Sequence, residues 1–323
     1  MKPITAVILL GLACSILPLQ AQLPESVHIF STRSQQNPAF TGISGLSRLT
    51  FNTRQQWANR PDGSPFDEQI AFEQGFGDTT YHQGWGIYVA DDLIRDPLNS
   101  KLVTRLSYAR ELLKRDDHHL RIGLAAGFQQ YRDAALIFPD QINPISGFDS
   151  TTTEIETLPD LDIGLLYYQQ FGFISLSYRR LFNGRYNLEL TPGSEVVSDT
   201  RAIHFVAGGK IEVLSWGAWG GQKQSLSFFP LVGGLWQGQG DPQPYLGLQA
   251  QIAPLSLGWI FRGDKLHAFL LGLSAGPVSL AYSYENYLVP AGPMPLGPSH
   301  EISLILQSGW GKKVARALPF PTF

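Results

Sequence analysis

The chain has 323 residues, only 16% of them charged, a formal net charge of −3 and a mean hydropathy of −0.05. So balanced a charge gives no footing for nucleic acid, and beyond the first 21 residues no apolar run is long enough for a transmembrane helix. Low charge with 33 Gly, 19 Phe, 12 Tyr and 7 Trp suits a membrane barrel, whose alternating strands escape a hydropathy window; a secreted all-β protein shares this composition.

Residues 1–21 read as a secretory signal. Lys2 is the positive start, Ile4 to Leu12 the apolar core, and Ala21 the residue before cleavage. The single cysteine, Cys14, lies inside it, so a chain cleaved there has neither disulfide nor thiol chemistry. Residues 22–46 form a Pro/Gly-punctuated entry segment. Alternation then begins: Leu49, Phe51, Thr53, Gln55 and Trp57 on one face, Arg48, Thr50, Asn52, Arg54 and Gln56 on the other. A period of two puts these sets on opposite sides of a strand.

The pattern repeats. Strands are predicted at Phe66–Phe76, Trp85–Val89, Leu102–Tyr108 and Leu120–Phe128, followed by a long break from Tyr131 to Pro159. A hairpin follows, Leu161–Tyr168 and Phe173–Arg180, then a second long loop, Asn183–Asp199. Further strands are predicted at Ile203–Ile211 and, after a link Leu214–Lys223, at Leu226–Trp236, Tyr245–Ile252, Leu255–Phe261, Leu266–Ser274, Val278–Tyr287 and His300–Gln307, with Trp310 closing the last. This gives fourteen strands. Counted from an inward-facing N-terminus, the outer links include the three longest, while inner links shrink to Ala253-Pro254 and Gly276-Pro277. Long-out and short-in is the asymmetry of bacterial outer-membrane barrels. The expected fold is therefore all-β: a transmembrane antiparallel up-and-down barrel of about fourteen strands in the bacterial outer membrane. The barrel spans 47–310 and a flexible periplasmic tail spans 311–323. Trp57, Trp85, Tyr168, Tyr178, Trp236, Tyr245, Trp259, Tyr287 and Trp310 are candidates for interfacial girdles.

Four segments carry a resemblance: NPAFTG (Asn37, Pro38, Ala39 and Gly42), RQQW (Arg54 and Trp57), YSYENYL (Tyr282 and Tyr284) and SHEISL (His300 and Glu301). In this order and spacing the chain resembles the PorP/SprF family of the type IX secretion system, found in the Bacteroidota. It departs from the family pattern where YSYE replaces a YSYD-like run and Pro298-Ser299 replaces Gly-Ser, and residues 131–199 match nothing nameable. The resemblance implies an outer-membrane barrel, surrounded by lipid, that serves secretion of large surface proteins, gliding adhesins among them. It implies partners among secreted cargo and periplasmic or peptidoglycan-associated components, and no catalytic role.

The residues themselves suggest no enzyme, cofactor or metal. His300-Glu301 lacks the second histidine of a zinc motif, and neighbours on a strand face opposite ways. Glu301 is instead expected in the lumen, paired with Arg48 or Arg54. His28, His82, His118, His119, His204 and His267 are scattered. The acidic run Asp140, Asp149, Glu154, Glu156, Asp160 and Asp162 is too loosely spaced for a calcium loop and reads as a solvated outer loop. The function expected is a non-enzymatic component of type IX secretion or gliding motility. The alternatives are a transporter or porin, which an open lumen favours, and a barrel lipid hydrolase, which a Ser–His pair on the outer wall favours.

Overall fold

The computed structural model describes residues 26–58, 64–77, 82–93, 100–136, 151–182, 187–189, 195–197, 201–219, 222–238, 241–263, 266–287, 297–308 and 318–321. Strands β1 (Ser47–Gln55), β2 (Phe66–Gly77), β3 (His82–Leu93), β4 (Ser100–Arg115), β5 (His118–Leu136), β6 (Thr151–Gln169) and β7 (Gly172–Arg179) form an antiparallel meander. A two-stranded ribbon, β8 (Asn187–Glu189) and β9 (Glu195–Val197), interrupts it. The meander resumes with β10 (Ala202–Gly209), β11 (Ile211–Trp219), β12 (Gln222–Gln237), β13 (Gln243–Ile252), β14 (Leu255–Arg262), β15 (Leu266–Ala275), β16 (Val278–Tyr287) and β17 (Ser299–Ser308). β10 and β11 lie end to end on β12, so they count as one kinked wall strand and the ring has fourteen. β1 closes on β17 from Ser47 opposite Ser308 to Gln55 opposite His300. Closure leaves no edge along the shared height of the wall, which a bilayer requires because lipid cannot satisfy a free N–H or C=O.

The polarity is inside out. Phe51, Leu106, Leu124, Leu176, Leu257, Phe269 and Ile302 point outward and are exposed, while Arg48, Glu73, Arg105, Glu111, Arg121, Asp160 and Glu301 point inward and are buried. In water such a wall would be an aggregation surface; in lipid it is the expected solution. One end of the barrel carries the tight turns Asp116-Asp117, Gln170-Phe171, Ala253-Pro254 and Gly276-Pro277, and the chain enters and leaves the wall there. The other carries the longer links. We refer to these as the turn end and the loop end.

All fourteen predicted strands are present, but their extents differ. β5 and β6 run on to Leu136 and from Thr151, through what reads in sequence as a 131–159 loop. Thr151 to Thr153 and their neighbours have β propensity without the apolar alternation that marks a lipid face, so a sequence pattern tuned to the bilayer ends too soon. Of the link Leu214–Lys223, residues 214–219 and 222–223 likewise continue the β11–β12 ribbon. Tyr168 and Tyr245 face the lumen and are buried, not in a girdle. Tyr168 directs its hydroxyl to Glu111 and Tyr245 to His204. Trp85 and Trp236 do face outward. Trp310 and the side chain of Tyr287 lie outside the described residues.

Phe51 sits on the outer face between Ile70 of β2 and Leu304 of β17. Phe51→Arg is expected to cost about 2–4 kcal/mol in lipid if this height is near the midplane, and less towards an interface. Equilibrium unfolding in vesicles measures it; an unchanged midpoint would remove Phe51 from the lipid-facing band.

Candidate functional site

The lumen is occupied by the chain's own entry segment. Val27 to Phe30, a short helical turn α1 (Arg33–Gln36) and a 3-10 turn (Pro38–Phe40) are almost wholly buried inside the ring. This plug passes from near Glu301 down to the turn end, where Gly45 and Leu46 lead into β1.

The NPAFTG residues fix its path. Asn37 donates through Nδ2 to Leu165 O (3.0 Å), Ser175 Oγ (2.8 Å) and Leu176 O (3.2 Å), while its Oδ1 accepts from Ala39 N (2.8 Å). That last bond caps the 3-10 turn, and Pro38 follows at its first position, where no amide is needed. Arg121 of β5 clamps the next stretch, donating to Ala39 O (3.0 Å) and Thr41 O (2.8 Å). Gly42, at φ +66°, donates to Glu73 Oε2 at 2.9 Å. The wall makes room for this run: Gly75, Gly84, Gly123 and Gly164 on β2, β3, β5 and β6 all face it. A Cβ on any of them would overlap Gly42, Thr41, the Pro38–Ala39 backbone or Asn37 respectively.

Three charge clusters line the same half of the lumen. Glu73 binds Arg48 Nη1 at 2.9 Å, and the other Arg48 terminus donates to Ser31 O of the plug at 2.7 Å. Arg105 pairs with Asp160 and, at 3.2 Å, with Asp162. Arg54 grips Glu285 with two bonds, Nε to Oε1 at 3.1 Å and Nη2 to Oε2 at 2.7 Å. The last is the bidentate geometry that makes a guanidinium–carboxylate pair strong. Arg33 is placed differently. It is 2% exposed, and among the described residues its closest carboxylate is Glu73 at 4.0 Å and none of its three nitrogens has a hydrogen-bond acceptor. Burial first, and the Arg48 cation second, push its pKa down to about 9, with Glu73 opposing.

Glu301 is not ion-paired with Arg48 or Arg54, contrary to the expectation from sequence. Those arginines are taken by Glu73 and Glu285. Glu301 instead accepts from Val27 N (3.1 Å), Asn52 Nδ2 (2.8 Å) and Ser26 Oγ, with His28 Nδ1 at 3.8 Å. Three donors and a nearby imidazole stabilise the carboxylate without a direct arginine contact. Asp160 and Asp162 likewise belong to the lumen network rather than to a solvated loop, because β6 starts earlier than predicted; Asp140 and Asp149 lie outside the described residues.

The remaining motif residues are on other surfaces. Tyr282, Tyr284 and His300 are on the outer face near the loop end; Tyr282 Oη lies 2.8 Å from His300 Nδ1, and Tyr284 meets His300 edge to face at 5.6 Å. Trp57 ends β1 in a left-handed conformation, φ +51°, and its amide donates to Ser299 Oγ at 3.1 Å. Glu73, Arg105 and Arg121 are not singled out as site residues by the sequence, which assigns Asp160 to a solvated loop. The only signal for them was a charged residue at an inward parity, which periodicity alone does not distinguish from a solvated face. Near the loop end a chamber of about 890 Å³, counting space open to solvent, is lined by Arg54, Asp67, Asp92, Lys101, Arg105 and Arg180, with Thr32 and Gln36 of the plug at its floor.

The C-terminal segment is also inside. Leu318 to Pro321 are buried, and Phe320 packs against Phe30 and Phe40 of the plug and Phe173 of β7. The expected flexible periplasmic tail is therefore corrected at these four residues: an aromatic pocket at the turn end binds them.

Residues 20–306 match the family model described as type IX secretion system membrane protein PorP/SprF. No curated protein matches the chain. Among solved structures, a Pseudomonas aeruginosa FadL homologue is similar at 11% identity and TM-score 0.43, over 86% of this chain and 93% of that one. The Pseudomonas putida toluene transporter TodX is similar at 11% and 0.41, over 85% and 92%. A Rhodopseudomonas blastica porin triple mutant is similar at 8% and 0.36, over 81% and 99%.

Two substitutions probe the plug. Gly123→Val keeps strand propensity but drives its side chain into the Pro38–Ala39 backbone, so it is expected to displace the plug while the ring still forms. Limited proteolysis of the folded barrel should then cut within 26–46, where the parent chain resists. Arg48→Ala leaves Glu73 buried with its main cation gone and is expected to cost about 3–5 kcal/mol, measured as a fall in the unfolding free energy.

Proposed function

Because the chain belongs to the PorP/SprF family of type IX secretion system membrane proteins, we propose that this outer-membrane barrel is a non-enzymatic scaffold that supports secretion or surface anchoring of large cargo proteins. The observation that carries the reading is the filled lumen. Wall glycines, Arg121 and Glu73 hold residues 37–45 in place by close backbone approach and side-chain bonds. A solute pathway needs a continuous gap, and these contacts oppose one.

The turn end then faces the periplasm, and the long links between β5 and β6, β7 and β10, and β16 and β17 face outward as the surfaces for cargo. The mixed-charge chamber at the loop end offers ion-pair and hydrogen-bond contacts to a polar segment of such a partner. Periplasmic or peptidoglycan-associated components of the machine meet the turn end. Export by the N-terminal signal, residues 1–21, belongs to the same reading.

Among the described residues a hydrolase reading finds one Ser–His pair, Ser303 Oγ to His28 Nδ1 at 2.6 Å. Both residues are buried, and Ser303 also accepts from Asn52 at 2.7 Å. A nucleophile needs a substrate beside it; this one is packed between the plug and the seam, which favours a structural role.

In planar bilayers the purified barrel is expected to show no sustained conductance, and in outer membranes it should co-isolate with secretion components or a surface protein. A large steady conductance, together with recovery of the barrel alone, would replace the scaffold with the transporter reading.

A further inference from the structure

The turn-end mouth contains a built pocket for one aromatic side chain. Phe173 of the wall and Phe30 and Phe40 of the plug surround the Phe320 ring, with centroids at 5.5, 6.3 and 5.5 Å. The Phe40 and Phe173 contacts are edge to face, at 81° and 82°, and the Phe30 contact is stacked, at 13°. These are the arrangements that ring quadrupoles favour. The Arg33 guanidinium covers the ring at 5.3 Å from its centroid. Leu318 is buried beside it, and Pro319 and Pro321 flank the phenylalanine. Proline on both sides restricts the backbone before binding and lowers the entropy lost on docking.

The occupant is held by side-chain packing. Leu318 to Pro321 form no strand and add nothing to the wall ladders, in contrast to every residue of the ring. Arg33 works against the closed state. While Phe320 covers it, the guanidinium is buried with no hydrogen-bond acceptor among the described residues; withdrawal of Phe320 uncovers the face that the ring occupies. Aromatic burial and cation–π attraction favour occupancy, and the unmet donors favour release. The two oppose each other within one contact.

We propose that this pocket is a peptide-recognition site for a proline-flanked phenylalanine, with the chain's own Leu318–Pro321 as its resident and exchangeable ligand. Since two of its three aromatic walls belong to the plug, occupancy also latches the plug at the turn end.

The test uses the full-length chain in lipid vesicles with Cys14→Ser and a reporter thiol, Leu318→Cys. The labelling rate with a membrane-impermeant maleimide reads how often the segment leaves. Labelling should be slow, and Phe320→Ala should speed it by about ten- to a hundredfold, the range set by losing one buried phenylalanine. Arg33→Met keeps a side chain over the ring but removes the unsatisfied cation, and should slow labelling by about three- to tenfold; Arg48 remains to neutralise Glu73. A free peptide with the sequence of residues 316–323 should speed labelling of the reporter by competition, and the same peptide with alanine in place of the phenylalanine at 320 should not. The competition needs only the Leu318→Cys reporter, so it stands even if Phe320→Ala or Arg33→Met fails to fold. Labelling that is insensitive to the free peptide, or equally fast with Phe320 and with Phe320→Ala, would overturn the proposal.

Discussion

The Glu73 carboxylate joins the barrel and its contents into one object. It receives Arg48 from the adjacent strand and the Gly42 amide from the plug, while Arg48 reaches across to the Ser31 carbonyl. Two charges taken out of water repay their desolvation only when geometry is good and the remaining donors and acceptors are also met. Here the plug backbone meets Glu73 Oε2 and Arg48 Nη2, while Arg48 Nε has no hydrogen-bond partner among the described residues. Without the plug, water would fill the lumen beside β1 and β2, and the pair would lose the Gly42 amide and the Ser31 carbonyl as fixed partners. Without the pair, the plug would lose anchors at both Ser31 and Gly42. Each component is thus a condition for the stability of the other.

The lumen is divided in a way that suits an amphipathic plug. The walls of β1–β7 and β16–β17 carry most of the buried arginines and carboxylates, with Arg262 at the loop end of β14 the exception among the described residues. The walls of β13–β15 present Gly247, Gly258, Ile260, Ala268 and Leu270 instead. Val27, Ile29 and Phe30 pack on the apolar side, and the backbone groups of residues 39–42 meet the polar side. A segment of irregular backbone at membrane depth is tolerated only when buried in protein or lining a cavity. The glycines at 75, 84, 123 and 164 allow that burial, because they let the plug backbone approach the wall directly.

Much of this was legible in sequence because strand parity is a local property. The alternation at Arg48 to Trp57 already separated Arg48, Asn52 and Arg54 from Phe51, and closure turned the first set into lumen. What parity cannot supply is partner choice. Glu301 lies opposite Arg54 in register, yet Arg54 turns to Glu285 two strands away and Glu301 turns to the plug. Which carboxylate wins depends on where residues 26–28 lie, a contact more than 270 positions apart in sequence. Tyr168 and Tyr245 failed as girdle candidates for a related reason: an aromatic near a strand end has two faces to choose from, and buried acceptors at Glu111 and His204 decided for the lumen. The tail failed because three Lys/Arg and two Pro within Gly311–Phe323 describe a chain that makes no strand, and say nothing of a pocket elsewhere that binds it.

Parity also explains why SHEISL is two sites in one short run. His300 faces outward beside Tyr282 and Tyr284, whereas Glu301 and Ser303 face inward against Asn52, Val27 and His28. The inward half staples the seam. Asn52 of β1 donates to both Glu301 and Ser303 of β17, and Arg54 of β1 reaches over β17 to Glu285 of β16. Separating β1 from β17 would break nine register positions of ladder, these side-chain bonds, and the attachment of Ser26 and Val27 together. The place where first and last strands meet is therefore held by side-chain bonds and by the plug as well as by its ladder. Any engagement of a partner has to proceed from the two ends of the barrel rather than through its side at this seam.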